Sequence, residues 1–126
     1  MLDVDHFKAV NDTYGHDVGD LVLQTLAETV QGTLRSGEMV GRLGGEEFAI
    51  LLPQTRVDDA MQAAERVRSS LAATRVASDE GPLAITVSIG VADWSGTKDT
   101  VESMLTRADE ALYASKSAGR DRVTAG

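Results

Sequence analysis

An α+β fold, with an antiparallel-rich central sheet and flanking helices, is the class this 126-residue sequence predicts. Three observations carry that expectation. Apolar residues recur at helical spacing in three separate segments, a Gly-Gly pair divides two short apolar runs, and a further run alternates between large apolar and small or polar residues. The order is helix, two strands, helix, strand, helix. It favours antiparallel pairing, with the helices on one face, over a doubly wound parallel sheet.

Asp3-Val4-Asp5 reads as the end of a strand, with only Met1 and Leu2 before it where about five residues are usual, so the chain is expected to begin inside a strand. A turning segment around Gly15 follows. Val18, Leu21, Val22, Leu26, Val30 and Leu34 then predict a helix over 18–35, with Gly37 as its stop. Met39 to Leu43 and Phe48 to Leu52 flank Gly44-Gly45, which predicts a β-hairpin. Thr55 and Asp58 are candidate caps for a second helix with a buried stripe of Ala60, Ala64, Val67 and Leu71. After a loop through Gly81-Pro82, Leu83, Ile85, Val87, Ile89 and Val91 alternate with Ala84, Thr86, Ser88, Gly90 and Ala92, the pattern of a half-buried strand. Thr100 opens a third helix with Val101, Met104, Leu105, Ala108 and Leu112 on one face, and Gly119 is placed to end it. A short terminal strand is expected at Arg122 to Thr124.

Composition narrows the chemistry. Hydrophobic residues make up 42% and charged residues 25%, which argues against disorder and low-complexity assembly. Twenty Asp and Glu against twelve Lys and Arg leave a net charge of -8, so no broad field draws in nucleic acid or an anionic membrane. A phosphate ligand would have to be held locally. Cysteine is absent, which removes disulfides, thiolate metal sites and cysteine nucleophiles. No apolar run approaches the ~20 residues of a membrane span, and the first residues have neither the basic nor the apolar region of a signal peptide, so a cytoplasmic location is expected.

Asp3 and Asp5, two apart, would point to one face of a strand and could share a hard divalent cation such as Mg2+, although acids at a strand end more often face water. Glu46 and Glu47, directly after the Gly-Gly turn, exceed what solubility requires at a hairpin tip. Four carboxylates at strand ends could converge on one or two cations, which would neutralise a triphosphate in an anionic protein. Asn11, His16 and Asp20 lie around Gly15 and Gly19. Each alone is explained as a turn residue, a cap or a first-turn acid. Lys116 and Arg120 alone are explained as cations suited to a helix C-terminus.

Taken together, Asp3-Val4-Asp5-His6-Phe7-Lys8, Asn11-Asp12, Tyr14-Gly15-His16, Gly19-Asp20 and Gly44-Gly45-Glu46-Glu47-Phe48 resemble the GGDEF domain of diguanylate cyclases. Thr86-Val87-Ser88-Ile89-Gly90-Val91 and Ala108-Asp109, Ala111-Leu112-Tyr113, Lys116 and Gly119-Arg120 resemble further family signatures, in the family's order and spacing. The resemblance covers essentially the whole chain.

The resemblance implies a nucleotide cyclase and polymerase palm-like fold, related to the ferredoxin-like folds. It implies condensation of two GTP into cyclic di-GMP, with release of two pyrophosphates, between the two halves of a homodimer. Carried over by position, Asp3, the Val4 carbonyl and Glu46 would bind Mg2+, with Mn2+ as an alternative. Glu46 would also take the 3′-hydroxyl proton, and Glu47 would support the site. Amides around His6, Phe7 and Lys8, with Lys116 and Arg120, would hold phosphates; Asn11 and Asp20 would read guanine, and His16 would be a further substrate contact.

Two departures stand against the family pattern. The upstream helical segment with its Asp-x-Leu-Thr-x-Leu-x-Asn-Arg motif is not in this sequence, so residues 1–126 are expected to be an N-terminally truncated GGDEF domain, fused in the full protein to an upstream sensory domain. Where many members carry an inhibitory Arg-x-x-Asp site, this chain has Arg35-Ser36-Gly37-Glu38, one methylene longer at the acid. The alternative function is a catalytically silent GGDEF module that binds GTP or a partner and only regulates.

Overall fold

A computed structural model describes all residues 1–126. Along the chain run β1 (Leu2–Val4), α1 (Phe7–Tyr14), α2 (His16–Thr33), β2 (Met39–Gly44), β3 (Glu47–Leu51), α3 (Val57–Ala73), β4 (Arg75–Val76), β5 (Leu83–Ala84), β6 (Val87–Val91), α4 (Val101–Ser117) and β7 (Arg122–Ala125). Five strands form the main sheet in the order β2-β3-β1-β6-β7, and β4 with β5 make a separate two-stranded ribbon. All pairings in the main sheet are antiparallel except β6 with β7. The α+β class and the antiparallel-rich sheet are as the sequence predicts. No helix is long and apolar enough to cross a membrane.

The helices do not share one face, which corrects the sequence expectation. Leu2, Val4, Phe48, Val87 and Ile89 join Val22, Leu26 and Val30 of α2 and Val67 and Leu71 of α3 in one buried cluster. Side chains alternate across a strand, so Ser88 and Gly90 face the opposite way, and there α4 lies against the sheet. A Cβ placed on Gly90 would stand 2.1 Å from the Ala108 carbonyl oxygen and 2.2 Å from the Leu112 amide nitrogen. Only a residue without a side chain lets helix and strand meet so closely. Strand β6 is therefore buried on both faces rather than one, and the alternating run breaks at Ile85-Thr86 into β5 and β6.

Several element boundaries also differ from expectation. The segment read as a turn before the first long helix contains α1, which ends at Gly15, and α2 begins two residues earlier than predicted. Helix α3 buries the expected stripe, but neither Thr55 nor Asp58 caps it. Arg56 holds the N-cap position, and the Thr55 hydroxyl donates to the Pro53 carbonyl at 2.9 Å. Helix α4 opens at Thr100 as predicted, through reciprocal bonds with Ser103 of 3.0 and 2.9 Å. Its buried face is Ala108, Ala111, Leu112 and Ser115, while Val101 and Leu105 are exposed. The terminal strand forms as β7, with Val123 beside Ile89.

Candidate active site

The sheet order puts β1 at the centre, so Asp3 lies between Glu47 of β3 and Ser88 of β6. It is buried, only 3% exposed. Its one ionic partner is Lys116 from the last turn of α4, whose Nζ donates to Asp3 Oδ2. Burial pushes the Asp3 carboxyl above the usual carboxylate value; Lys116 opposes that shift, and the charges of Glu46 and Glu47 add to it. Val4 donates its amide to the Glu46 carbonyl at 3.4 Å, and the reciprocal bond to the Val4 carbonyl is not made. A buried carboxylate, an unpaired strand-end carbonyl and two further acids are hard oxygen donors, the set that Mg2+ or Mn2+ prefers.

The expectation that four carboxylates converge is not met. No three acidic or histidine side chains are gathered closely enough to hold a metal ion as they stand. Asp5 in particular belongs elsewhere. Its carboxylate accepts from the Thr86 hydroxyl at 2.7 Å, the Ser88 hydroxyl at 2.6 Å and the Asp121 amide at 3.0 Å. Three donors satisfy it inside the fold, where it ties the end of β1 to β6 and to the turn before β7. The sequence signal for this role is the pair Thr86 and Ser88, two hydroxyls spaced to point the same way.

The chain leaves β1 through His6, which adopts a left-handed conformation (φ 55°) and starts α1 with no side chain capping it. The first amides of any helix lack intrahelical partners, so those of Phe7, Lys8 and Ala9 open onto the surface beside β1. His6 and Lys8 are exposed there. Helix α1 then packs on α2 where Asn11 meets Gly19: a Cβ at Gly19 would lie 1.8 Å from Asn11 Oδ1. The next residue, Asp20, is exposed on α2. His16, also exposed, stands at the first position of α2.

Arg120 follows α4 in a left-handed conformation (φ 66°), with its amide bonded to the Ser115 carbonyl at 3.0 Å. Asp121, next to it, is held by Asp5 on one side and by Arg68 of α3 at 2.7 Å on the other. Away from this end of the sheet, Glu38 accepts from its own Arg35 amide at 2.6 Å and returns its amide to the Arg35 carbonyl at 3.0 Å, closing a turn before β2. One surface hollow, about 500 Å3, lies between α2 and α3 against Thr33, Gln62, Glu65 and Arg66. It holds none of the residues singled out in the sequence. A smaller one, about 250 Å3, adjoins Asp5, His6 and the first turns of α1.

This arrangement coincides with a known class: the chain belongs to the GGDEF family. The family profile described as diguanylate cyclase, GGDEF domain, matches residues 1–122. Diguanylate cyclase A of Treponema denticola is 42% identical over 124 residues, which cover 98% of this chain and 33% of that protein. The chain thus spans about a third of the length of this curated relative. The active GGEEF domain of a diguanylate cyclase from Vibrio cholerae superposes with a TM-score of 0.91 at 35% identity, covering 98% of this chain and 78% of that one. The GGDEF domain of DgcB from Caulobacter crescentus, solved in complex with c-di-GMP, gives 0.92 at 38% identity over 98% of this chain and 74% of that one.

Proposed function

We propose that this domain is a diguanylate cyclase, joining two GTP molecules into cyclic di-GMP with release of two pyrophosphates. The observation that carries the reading is the buried Asp3 on the central strand beside Glu46 and Glu47, an intact acidic strand end in a chain of this family. Asp3, the Val4 carbonyl and Glu46 would hold Mg2+ or Mn2+, and such a cation supplies charge for the triphosphate and acidifies a nearby hydroxyl. Glu46 accepts the proton of the attacking 3′-hydroxyl, and Glu47 supports it from the next position. The free amides at the start of α1, with Lys116 and Arg120, bind the distal phosphates. Asp20 accepts from the guanine N1-H and 2-amino group, a donor pair that adenine lacks, with Asn11 beside it and His16 as a further contact.

Each 3′-hydroxyl attacks the α-phosphorus of the other GTP, so two domains face one another and one alone has half a site. Residues 1–126 act as the cyclase domain, with a sensory region elsewhere in a longer polypeptide controlling the pairing. Arg35 and Glu38 stand where the inhibitory site of many members stands. Glu38, longer than Asp and folded back on the Arg35 amide, has to leave that bond before it meets a guanine, so product inhibition is weak.

Incubation with GTP and Mg2+, followed by chromatography, should show cyclic di-GMP. Glu46→Gln should abolish turnover while preserving the melting temperature, because Glu46 sits in a surface turn with little packing. GTP binding without product in the parent protein would favour the silent-module reading instead. Unchanged turnover in Glu46→Gln would remove Glu46 from the reaction.

A further inference from the structure

The ion pair that Asp3 makes joins residues 113 positions apart, Asp3 on β1 and Lys116 on α4. The two side chains differ sharply in exposure, 5% for Asp3 and 35% for Lys116. We propose that Lys116 is an exchangeable counter-ion, which neutralises Asp3 in the metal-free protein and moves to the nucleotide's phosphates when a divalent cation takes Asp3. Metal and triphosphate then enter as a coupled pair. This rests on the reading of Asp3 as a metal ligand.

The argument is one of charge and freedom. A buried carboxylate flanked by two other acids is costly without a cation, so Asp3 keeps one at all times. Lys116 meets that need with a compact charge on a flexible four-carbon stem, and its partly exposed head can turn outward without repacking the core. Its backbone stays fixed, because the Gly119 amide bonds to the Lys116 carbonyl at 3.3 Å and the Arg120 amide to Ser115 at 3.0 Å. The exchange therefore costs a rotamer change and no movement of α4.

A metal arriving alone must evict the ammonium from Asp3 and forfeit that ion pair with no phosphate to replace it. A metal arriving with a triphosphate offers that ammonium a new partner beside Arg120, whose side chain is in no ion pair. Coupling of this kind is reciprocal: what the nucleotide does for the metal, the metal does for the nucleotide.

Mn2+ alone, without nucleotide, is the probe, its free concentration read by electron paramagnetic resonance during titration of the protein. Lys116→Met should bind Mn2+ about 10-fold more tightly than the parent, as expected when a charge-assisted competitor is removed. Arg120→Met, which removes an equal charge nearby without freeing Asp3, should change the affinity less than about twofold, the scale of a screened surface charge. Lys116→Gln provides a second neutral side chain should the Met variant misfold.

Equal tightening by Lys116→Met and Arg120→Met would show a bulk charge effect and overturn the exchange. Unchanged or weaker Mn2+ binding in both Lys116 variants would also overturn it. Asp3→Asn in the Lys116→Met background separates these failures from failure of the site itself. Loss of Mn2+ binding there keeps Asp3 as the ligand, whereas full retention would remove Asp3 from the metal site and the exchange with it.

Discussion

Asp3 and Gly19 show how single residues here trade stability for chemistry. Because burial raises the Asp3 proton affinity above its unfolded value, folding takes up a proton, and the ionised carboxylate costs stability at every pH above the raised value. That cost is shed as pH falls through the raised value toward about 4, the ordinary carboxylate range. Asp3→Asn should therefore melt higher than the parent at pH 7 with metal chelated, and the gap should close near pH 4; a lower melting temperature at pH 7 would contradict this. Gly19 is bound to its neighbour in a different way. Gly19→Ala drives a methyl into Asn11 Oδ1, the end of a flexible side chain, so Asn11 must swing aside while the helix gains about 1 kcal/mol of propensity. Stability should hold, while GTP affinity by calorimetry falls about 10-fold on the proposal that Asn11 bonds to guanine. Unchanged affinity would remove Asn11 from guanine recognition. These two residues were legible in the sequence as members of motifs, but their physical roles were not: spacing reveals that Asp3 and Asp5 share a face, yet not that Thr86, Ser88 and the Asp121 amide consume one carboxylate and leave the other to Lys116.

At the level of elements, the contact of α4 with β6 is the tightest constraint. Gly90→Ala places a methyl against backbone atoms that cannot turn away, so α4 must lift from the sheet, at a cost of about 3 kcal/mol. Urea unfolding should show it, with Gly41→Ala on the edge strand β2, where a Cβ meets open space, as the tolerated comparison. Equal stability of the two variants would mean that α4 is not seated as closely as described. The same contact explains which elements the sequence concealed. Helix α4 packs through Ala108, Ala111, Leu112 and Ser115, three of them small, so the predicted stripe shares Ala108 and Leu112 with the buried face but also takes in Val101 and Leu105, which face water. Strand β6 carries Ser88 and Gly90 on its second buried face, and small or polar residues there imitate solvent exposure. Helix α1 has eight residues, one of them buried, and no capping side chain, so it offered neither periodicity nor a start signal. Helices α2 and α3 and the hairpin were legible because apolar stripes and the Gly-Gly turn are local features.

For the molecule as a whole, the net charge of -8 acts on every encounter. Two such domains repel each other, and each repels a free triphosphate. Raising ionic strength from 0.01 to 0.15 M shortens the screening length from about 30 to about 8 Å, so dimerisation should tighten with added salt, the reverse of an interface built on opposite charges. Sedimentation equilibrium with bound GTP analogue and Mg2+ checks it; dissociation on adding salt would show that ion pairs hold the two domains. The placement of β1 bears on synthesis as well. Leu2 pairs with Phe48 on one side and Ile89 on the other, so β1 is made before both of its neighbours and is enclosed only once β6 has followed. At about 5 to 20 residues per second, the interval is on the order of ten seconds. Throughout it the nascent chain carries Leu2 and Val4, two core side chains, with half of their sheet not yet made, and productive folding is gated by translation of β6 rather than by any local step.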